Sequence, residues 1–583
     1  MKLEKYIALK NKYGHAKEID THKLYASGAV YTPDEPANHL AKMAILQYLR
    51  INKPNFVPSF EAFFENNVVD ENAHSLFNLL KSLKVLDLAS GSGMLVLTYV
   101  ELMIRFSNAI HLNSHAFIKD MLENKIVVFD ISEDAINKYK ELCLALGKAY
   151  GLRDEIQFKA VYCQNSLISD LSPYNNTFDL ILGNPPYIGE KGNTKIFNVL
   201  KESNFGSKWY EGKMDYFYFF IYKGYDLLKS NGVLCYLTSN YFFTADGAKK
   251  LRNFIFETFY LSSLLNYGAQ SVFGDYKLHA AIYTLQKDKC NTVYLYNKNC
   301  NCVSEVSHET VFDKELNMHF ISDPMIYKIL SKMEAQSIGT LEAYYDVFQG
   351  IVSGLDRKDG EGVFVYKDKE VDRLPESVKP FLKPFYKNSA ICHYHHKGTT
   401  PYSILYITKN RAPKEIESLL FPYKALLENR REVKNGVRKW YELTWPRQEN
   451  VFLGPKIIVP QRAKANYFAF DSGDFFASAD IYFIKDTLFS IYSLEVLTMV
   501  LNARLYKLWL TYKGKRKGDL LELYATPLKK IPLPNLSDKQ KNLLNAHFSG
   551  SEQSVLPIVD VDKIIYEAYG FTPEEIKYMD TLD

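Results

Sequence analysis

The sequence predicts an α/β protein, with a largely parallel sheet flanked by helices in the first half and a mixed α/β arrangement in the second. Three observations predict it. Short apolar runs alternate with helical stretches as far as Gln286. A glycine turn, Ser90-Gly91-Ser92-Gly93, directly follows the first of those runs. Beyond about residue 310 the alternation gives way to aromatic and charged clusters with irregular Pro and Gly. Parallel strands need a crossover between them, usually a helix, so strand and helix patterns in alternation read as a parallel sheet.

The elements follow in order. A helix is expected to start near Thr32-Pro33, with Thr32 as N-cap, Pro33 at the first helical position and Glu35 in the first turn. Strands are expected at 84–88, 126–130, 157–161, 178–182, 233–238, 264–267 and 280–285. The change of character places a boundary near 290–320, which divides the chain into domains 1–305 and 306–583. The tail 557–583 reads as helical, and Thr572-Pro573-Glu574-Glu575 as a capped helix start.

Composition narrows the class. The 583 residues are too many for one compact domain. With 47% hydrophobic and 24% charged residues, the chain can build ordinary cores. Net charge is only +4, so a basic nucleic-acid surface must be local. Aromatics reach 14%, mostly for cores, with some available to stack on bases. The seven cysteines form no C-x-x-C, against a disulfide framework or structural zinc and in keeping with a reducing compartment. Cys392-His393-Tyr394-His395-His396 has metal-binding residue types but no second ligand pair, so no metal is expected. Residues 1–20 hold no apolar signal core, and no run of about 18 apolar residues occurs, so neither secretion nor a membrane span is expected. No Walker-type loop points to nucleotide hydrolysis.

Four stretches carry chemistry. In Asp87-Leu88-Ala89-Ser90-Gly91-Ser92-Gly93, glycines between strand and helix let the backbone approach a ligand. Asp130 ends the second strand, where it can accept from ribose hydroxyls or cap the helix that follows. Asn165, after the third strand, suits an adenine edge or a turn. Upstream, Gly28-Ala29-Val30-Tyr31-Thr32-Pro33 can close over the amino-acid end of a ligand.

The fourth stretch is Asn184-Pro185-Pro186-Tyr187, directly after the apolar 178–182 run. Two prolines remove two backbone donors and stiffen the turn. The Asn184 side-chain oxygen and the Pro185 carbonyl then remain as acceptors at a strand's carboxyl end. Two acceptors suit an amine with two hydrogens, and Tyr187 offers a face for stacking. An aromatic amine is a poor nucleophile because its lone pair is delocalised. Holding both N–H groups out of the ring plane restores the lone pair, which can attack an in-line methylsulfonium without any protein nucleophile.

These residues resemble those of the amino-methylating, S-adenosylmethionine-dependent methyltransferases, and the N-P-P-Y form resembles the N6-adenine DNA enzymes. The motif order is similar to the gamma type, although Leu88 and Ser90 stand where that family usually has Pro and Cys, and Asn165 where it has Asp. Lys213-Met214-Asp215-Tyr216-Phe217 and 232–240 are similar to the motifs that follow the catalytic loop. Phe348-Gln349-Gly350-Ile351-Val352-Ser353-Gly354 resembles the entrance to a target-recognition domain, and Val378–Lys383 and Ile565–Phe571 resemble motifs of fused type IIG restriction-modification enzymes. The resemblance implies a Rossmann-like S-adenosylmethionine-dependent methyltransferase domain followed by a mixed α/β target-recognition domain. It implies S-adenosylmethionine as cofactor, held by Ala29, Tyr31, Thr32, Asp87, Ala89, Gly91, Gly93, Asp130, Ile131, Asn165, Ser166, Asn184 and Pro186. It implies catalysis by Asn184, Pro185 and Tyr187, with Phe273 packing the target adenine opposite Tyr187. Only about 27 residues precede Gly28, too few for the nuclease of the fused enzymes, so modification without cleavage, as in orphan methyltransferases, is the expectation.

The expected partner is double-stranded DNA, bound by a monomeric chain in the bacterial cytoplasm with no obligate protein partner. A base in a duplex must be flipped out to be methylated. Residues 429–447 and 504–517 each hold six basic side chains. From these stretches and 461–466, Arg430, Arg431, Lys439, Trp440, Arg462, Lys513, Lys515, Arg516 and Lys517 are the candidate DNA contacts, with 513–517 read as a flexible basic loop. Methylation of a protein glutamine or an RNA base, or a non-catalytic DNA-binding specificity protein, stay open as alternatives. Cytosine C5 chemistry requires a Pro-Cys nucleophile, which the chain lacks.

Overall fold

The computed structural model describes residues 2–14, 32–113, 115–268, 272–273, 279–321, 323–388, 391, 393–395, 398–408, 414–517, 519–550 and 558–582. The chain forms two units, Met1–Ser322 and Asp323–Asp583.

The first unit is built on nine strands: β1 (Val85–Asp87), β2 (Ile126–Asp130), β3 (Val161–Cys163), β4 (Phe178–Gly183), β5 (Leu228–Ser239), β6 (Tyr260–Asn266), β7 (Ala280–Gln286), β8 (Thr292–Tyr296) and β9 (Cys302–Ser307). Their order in the sheet is β3-β2-β1-β4-β5-β7-β6-β8-β9. The run β3 to β5 is parallel, and β7 lies antiparallel between β5 and β6.

Alternation along the strands explains the layers. In β2, Ile126 and Val128 face one core while Val127 and Phe129 face the other. In β5, Val233, Cys235 and Leu237 oppose Leu234 and Tyr236 in the same way. The helices Asp34–Asn52, Met94–Ala109 and Glu133–Ala149 contribute to the first core, and Phe217–Leu227 and Lys249–Glu257 to the second. The sheet is therefore buried on both faces, as the continuous apolar runs require. Most aromatics serve these cores: Tyr99, Tyr139, Tyr222, Tyr236 and Tyr283 are all fully buried.

Several expectations need correction. The third strand lies at Val161–Cys163, not 157–161, because its residue-by-residue pairing with β2 runs from Val161 to Cys163. The helix expected at Thr32-Pro33 begins at Asp34 with Pro33 as its N-cap, and another helix, Lys2–Gly14, precedes it. Thr32 does not cap the Asp34 helix, because its hydroxyl is committed to Asn184 instead. The sheet also continues past Gln286 through β8 and β9. At the other end Thr572 caps Pro573–Asp580 in a full capping box with Glu575.

The second unit holds a five-stranded sheet ordered Tyr345–Gln349, Ile481–Asp486, Lys456–Pro460, Ala469–Asp471 and Tyr394–His395. A four-stranded sheet runs Val365–Lys367, Tyr402–Leu405, Leu382–Tyr386 and Phe476–Ala477. Both share one core containing Phe364, Phe385, Ile404, Ile458, Phe476 and Phe483.

Candidate active site

The strand order steps from β1 across to β4 on its other side, and open α/β sheets bind ligands at such a switch point, beyond the carboxyl ends of the strands. A cavity of about 710 Å³ lies there, lined by Thr32, Asp87, Ala89, Gly91, Asp130, Ile131, Asn165, Ser166, Asn184 and Pro186 among others. Ten of the expected cofactor residues thus converge, although they come from loops far apart in the sequence. Gly93 shapes the turn from behind, and Ala29 and Tyr31 lie outside the described residues.

Local hydrogen bonds build the cavity. Gly91 and Gly93 have φ of 55° and 80°, a left-handed region that favours glycine. A Cβ on Gly93 would also stand 2.1 Å from the Tyr139 ring. The Gly91 N–H donates to one Asp130 oxygen at 2.7 Å, and the Ser132 N–H to the other at 2.8 Å. Asp130 thus ties the glycine turn to the end of β2 and keeps its remaining lone pairs toward the cavity. It does not cap the next helix, because the Ser132 hydroxyl does so by accepting from the Ala135 N–H. Ser166 Oγ donates to the Leu88 carbonyl at 2.7 Å and holds the β3 loop against β1. Asn165 Oδ1 accepts from the Leu167 N–H.

The cavity fits a nucleoside that carries positive charge. Its acidic floor is Asp87 and Asp130, its apolar wall includes Leu88 and Phe220, and the buried Ser92 hydroxyl has no partner among the described residues. Burial, with the nearby Asp130 charge, pushes the Asp87 carboxyl up to about 7. A cationic ligand favours the ionised form. Affinity for S-adenosylmethionine should therefore rise as pH rises through this range, and Asp87→Asn should flatten the profile. Equilibrium dialysis between about pH 5.5 and 7.5 checks it, and a flat wild-type profile would exclude the coupling. The sign for stability is opposite. A raised carboxyl pKa favours the folded state at low pH, and that contribution is lost as pH rises from about 4 toward 7.

Next to the cavity stands the 184–187 loop. Asn184 Nδ2 donates to Thr32 Oγ1 at 3.0 Å, which fixes the orientation of the amide. The Tyr187 hydroxyl donates to Asn184 Oδ1 at 2.5 Å and lies 3.1 Å from the Leu237 carbonyl at the end of β5. Tyr187 packs edge-on to Phe217 and is tilted 59° from Phe273, with 6.3 Å between the last two ring centroids. Phe273 therefore does stand beside Tyr187, in contact with it. Burial raises the Tyr187 phenol well above its ordinary value.

Sequence reasoning did not assign cavity roles to Tyr216, Phe220, Lys138 or Gln164. Tyr216 lay within the quoted 213–217 motif, whereas nothing local marks Phe220 or Lys138, which reach the cavity from the interiors of helices.

In the second unit the basic candidates separate. Arg430 is not available to a phosphate. Its five N–H donors are taken by the carbonyls of Leu427, Ser353, Trp440 and Glu442 and by Thr444 Oγ1, so it ties its own turn to Ser353 and to the 440–444 segment. Asn466 is buried and holds the Leu501 and Ala503 carbonyls, which removes it from the 461–466 stretch as a reader of bases. Lys513 pairs with Glu334, and Trp440 packs against Tyr441 and Lys424. Lys515–Lys517 is an edge strand and not a flexible loop, since it pairs with Leu520–Glu522. Arg462–Ala463 pairs with the other side of that strand, so Arg462 and Lys515, far apart in sequence, both approach the Tyr524 ring at 5.8 Å. Arg431, Lys439 and Arg516 are exposed. Of the Cys392–His396 run, Cys392 and His396 lie outside the described residues, while His393 packs on Tyr467.

Comparison with known proteins agrees with this layout. Residues 77–273 match the family model described as Eco57I restriction-modification methylase, and residues 383–533 match that of the TaqI-like C-terminal specificity domain. The chain is 23% identical over 441 residues to the type II methyltransferase M.HindII of Haemophilus influenzae, covering 66% of this chain and 82% of the relative. It is 25% identical over 488 residues to the type II restriction enzyme and methyltransferase RM.Eco57I of Escherichia coli, covering 73% of this chain and 47% of that protein. Its fold resembles that of the type IIL restriction-modification enzyme MmeI, solved in complex with DNA, with a TM-score of 0.66 over 97% of this chain and 80% of the other at 13% identity. The first unit accordingly has an S-adenosylmethionine-dependent methyltransferase fold, with S-adenosylmethionine as its cofactor, and the second carries the TaqI-like specificity region. No helix among the described residues is long and apolar enough to cross a membrane.

Proposed function

We propose that this chain is a site-specific DNA methyltransferase that transfers a methyl group from S-adenosylmethionine to the N6 amine of an adenine flipped out of duplex DNA. One observation carries the reading. The Asn184 amide, oriented by donation of its Nδ2 to Thr32 Oγ1, presents its oxygen at the carboxyl end of β4, on the wall of the cofactor cavity and beside the Tyr187 and Phe273 rings. Bound S-adenosylmethionine supplies an electrophilic methyl group. Asn184 Oδ1 and the Pro185 carbonyl accept the two amine hydrogens and restore the nitrogen lone pair. Pro185 and Pro186 present no N–H that would compete for these acceptors. Tyr187 and Phe273 hold the flat base, and positioning and electrostatics carry the rate. Similarity to proteins named type II methyltransferases supports a DNA substrate and modification as the activity. The second unit, with its TaqI-like region, takes the role of target recognition, and the chain acts as a monomer without a restriction partner.

The test is to incubate the protein with unmodified genomic DNA and labelled cofactor, then identify the methylated nucleoside and its flanking sequence. N6-methyladenine at one recurrent sequence, without strand breaks, is expected. Label found only in cytosine, RNA or protein would overturn the reading.

The basic edge strand Lys515–Lys517, with Arg462 on the other side of the strand it pairs with, motivates a second measurement. Replacing Lys515, Arg516 and Lys517 together with alanine should weaken DNA binding. The slope of log affinity against log salt should fall by about 2–3, one counterion per lost phosphate contact. An unchanged slope removes this strand from the interface.

A further inference from the structure

The 184–187 loop holds its own hydroxyl where a substrate amine belongs. Asn184 Oδ1 already accepts from Tyr187 Oη at 2.5 Å, and the same hydroxyl is 3.1 Å from the Leu237 carbonyl. A tyrosine hydroxyl has one proton, so these two acceptors share it. We infer that the Tyr187 hydroxyl is a resident stand-in for the target amine, which keeps both the Asn184 acceptor and the base slot closed until a base displaces it; this rests on the methyltransferase reading above.

Ring geometry gives independent support. A flat base held between two aromatic faces needs them nearly parallel and about 7 Å apart, twice the contact distance of roughly 3.5 Å. Tyr187 and Phe273 stand 6.3 Å apart with their planes at 59°, so no such slot is open. Rotation of the Tyr187 side chain would release Asn184 Oδ1 and change the angle between the two rings. The backbone is poorly suited to that motion, because Pro185 and Pro186 fix two φ angles directly before Tyr187. Phe273 is only 6% exposed and packs in the first core.

The resting arrangement satisfies a partly buried acceptor without substrate. It also makes base binding an exchange, in which an amine gains Asn184 only by replacing the hydroxyl. Tyr187 is therefore a specificity-determining residue as well as a stacking face. Groups that cannot both donate to Asn184 and fill the slot leave it closed.

Tyr187→Phe keeps the ring and removes the stand-in. The experiment uses the full chain with cofactor and a duplex carrying the recognition sequence found above, with 2-aminopurine beside the target adenine to report extrusion. Melting temperature and cofactor affinity establish that the variant is folded, and Tyr187 is not part of the cofactor cavity lining. The variant should show a larger extruded fraction and a KM for DNA lower by roughly three- to tenfold, the worth of one or two hydrogen bonds. It should also methylate near-cognate sequences relatively better than wild type. If KM and the extruded fraction do not move, whether kcat falls or not, the hydroxyl is no gate and the inference is overturned. Wild-type protein that methylates no DNA overturns the activity itself and the gate with it.

Discussion

Asn184→Ala is expected to lower methyl transfer by roughly 10²–10³-fold or more, the scale seen when a single preorganised charge-stabilising contact is removed from an active site. The alanine leaves no side-chain acceptor at the end of β4, so in the proposed mechanism one amine hydrogen loses its partner and the lone pair stays in the ring. Cofactor affinity should change by less than about tenfold, because the cavity is built from several independent elements. The Gly91 turn is held by Asp130 and the β3 loop by Ser166, and neither depends on Asn184. The variant also loses the bonds to Thr32 and Tyr187, at a cost of about 1–3 kcal/mol in stability. Single-turnover methylation, cofactor dialysis and thermal melting separate the three effects. Turnover within tenfold of wild type would sink the mechanism.

The largest stability effect is expected in the second unit. Lys456 and Asp471 face one another across adjacent antiparallel strands. Their side chains are 0% and 1% exposed and 2.9 Å apart. Lys456 also donates to the Gly454 and Gly473 carbonyls. Burial lowers the Lys456 ammonium from its ordinary value, and the Asp471 charge opposes that shift. Asp471→Ala leaves a buried ammonium unpaired and should cost about 3–5 kcal/mol. Replacing both partners with apolar residues of similar volume should cost much less, since no charge is then stranded. Urea unfolding of the full chain, followed by a probe in the second unit, measures both. A loss below about 1 kcal/mol for Asp471→Ala would show that water reaches Lys456.

Features set by neighbours in the chain were legible before the fold was known. Strand β2 falls at Ile126–Asp130 as its apolar run predicts, and the Thr572 capping box forms from four consecutive residues. The glycine turn reads correctly because positive φ at Gly91 and Gly93 is a local demand. The short edge strand β3 was misplaced because an edge strand is fixed by its single neighbour, here β2, more than by its own pattern.

The basic residues show the limit most clearly. Arg430 and Arg516 look alike in a charge count, yet the fold gathers four nearby acceptors and the distant Ser353 carbonyl around Arg430, while Arg516 sits exposed on an edge strand. Likewise Thr32 has the residue type of a cap, and its partner is Asn184, 152 positions away. The sequence by itself determined the α/β order, the glycine turn at Gly91 and Gly93 and the residue types of the 184–187 loop, because periodicity, backbone freedom and residue type are local properties. Only the tertiary structure decided which side chains are spent on other protein groups, Arg430 on carbonyls, Thr32 on Asn184 and Tyr187 on the acceptor itself, because hydrogen-bond partners are set by proximity in space.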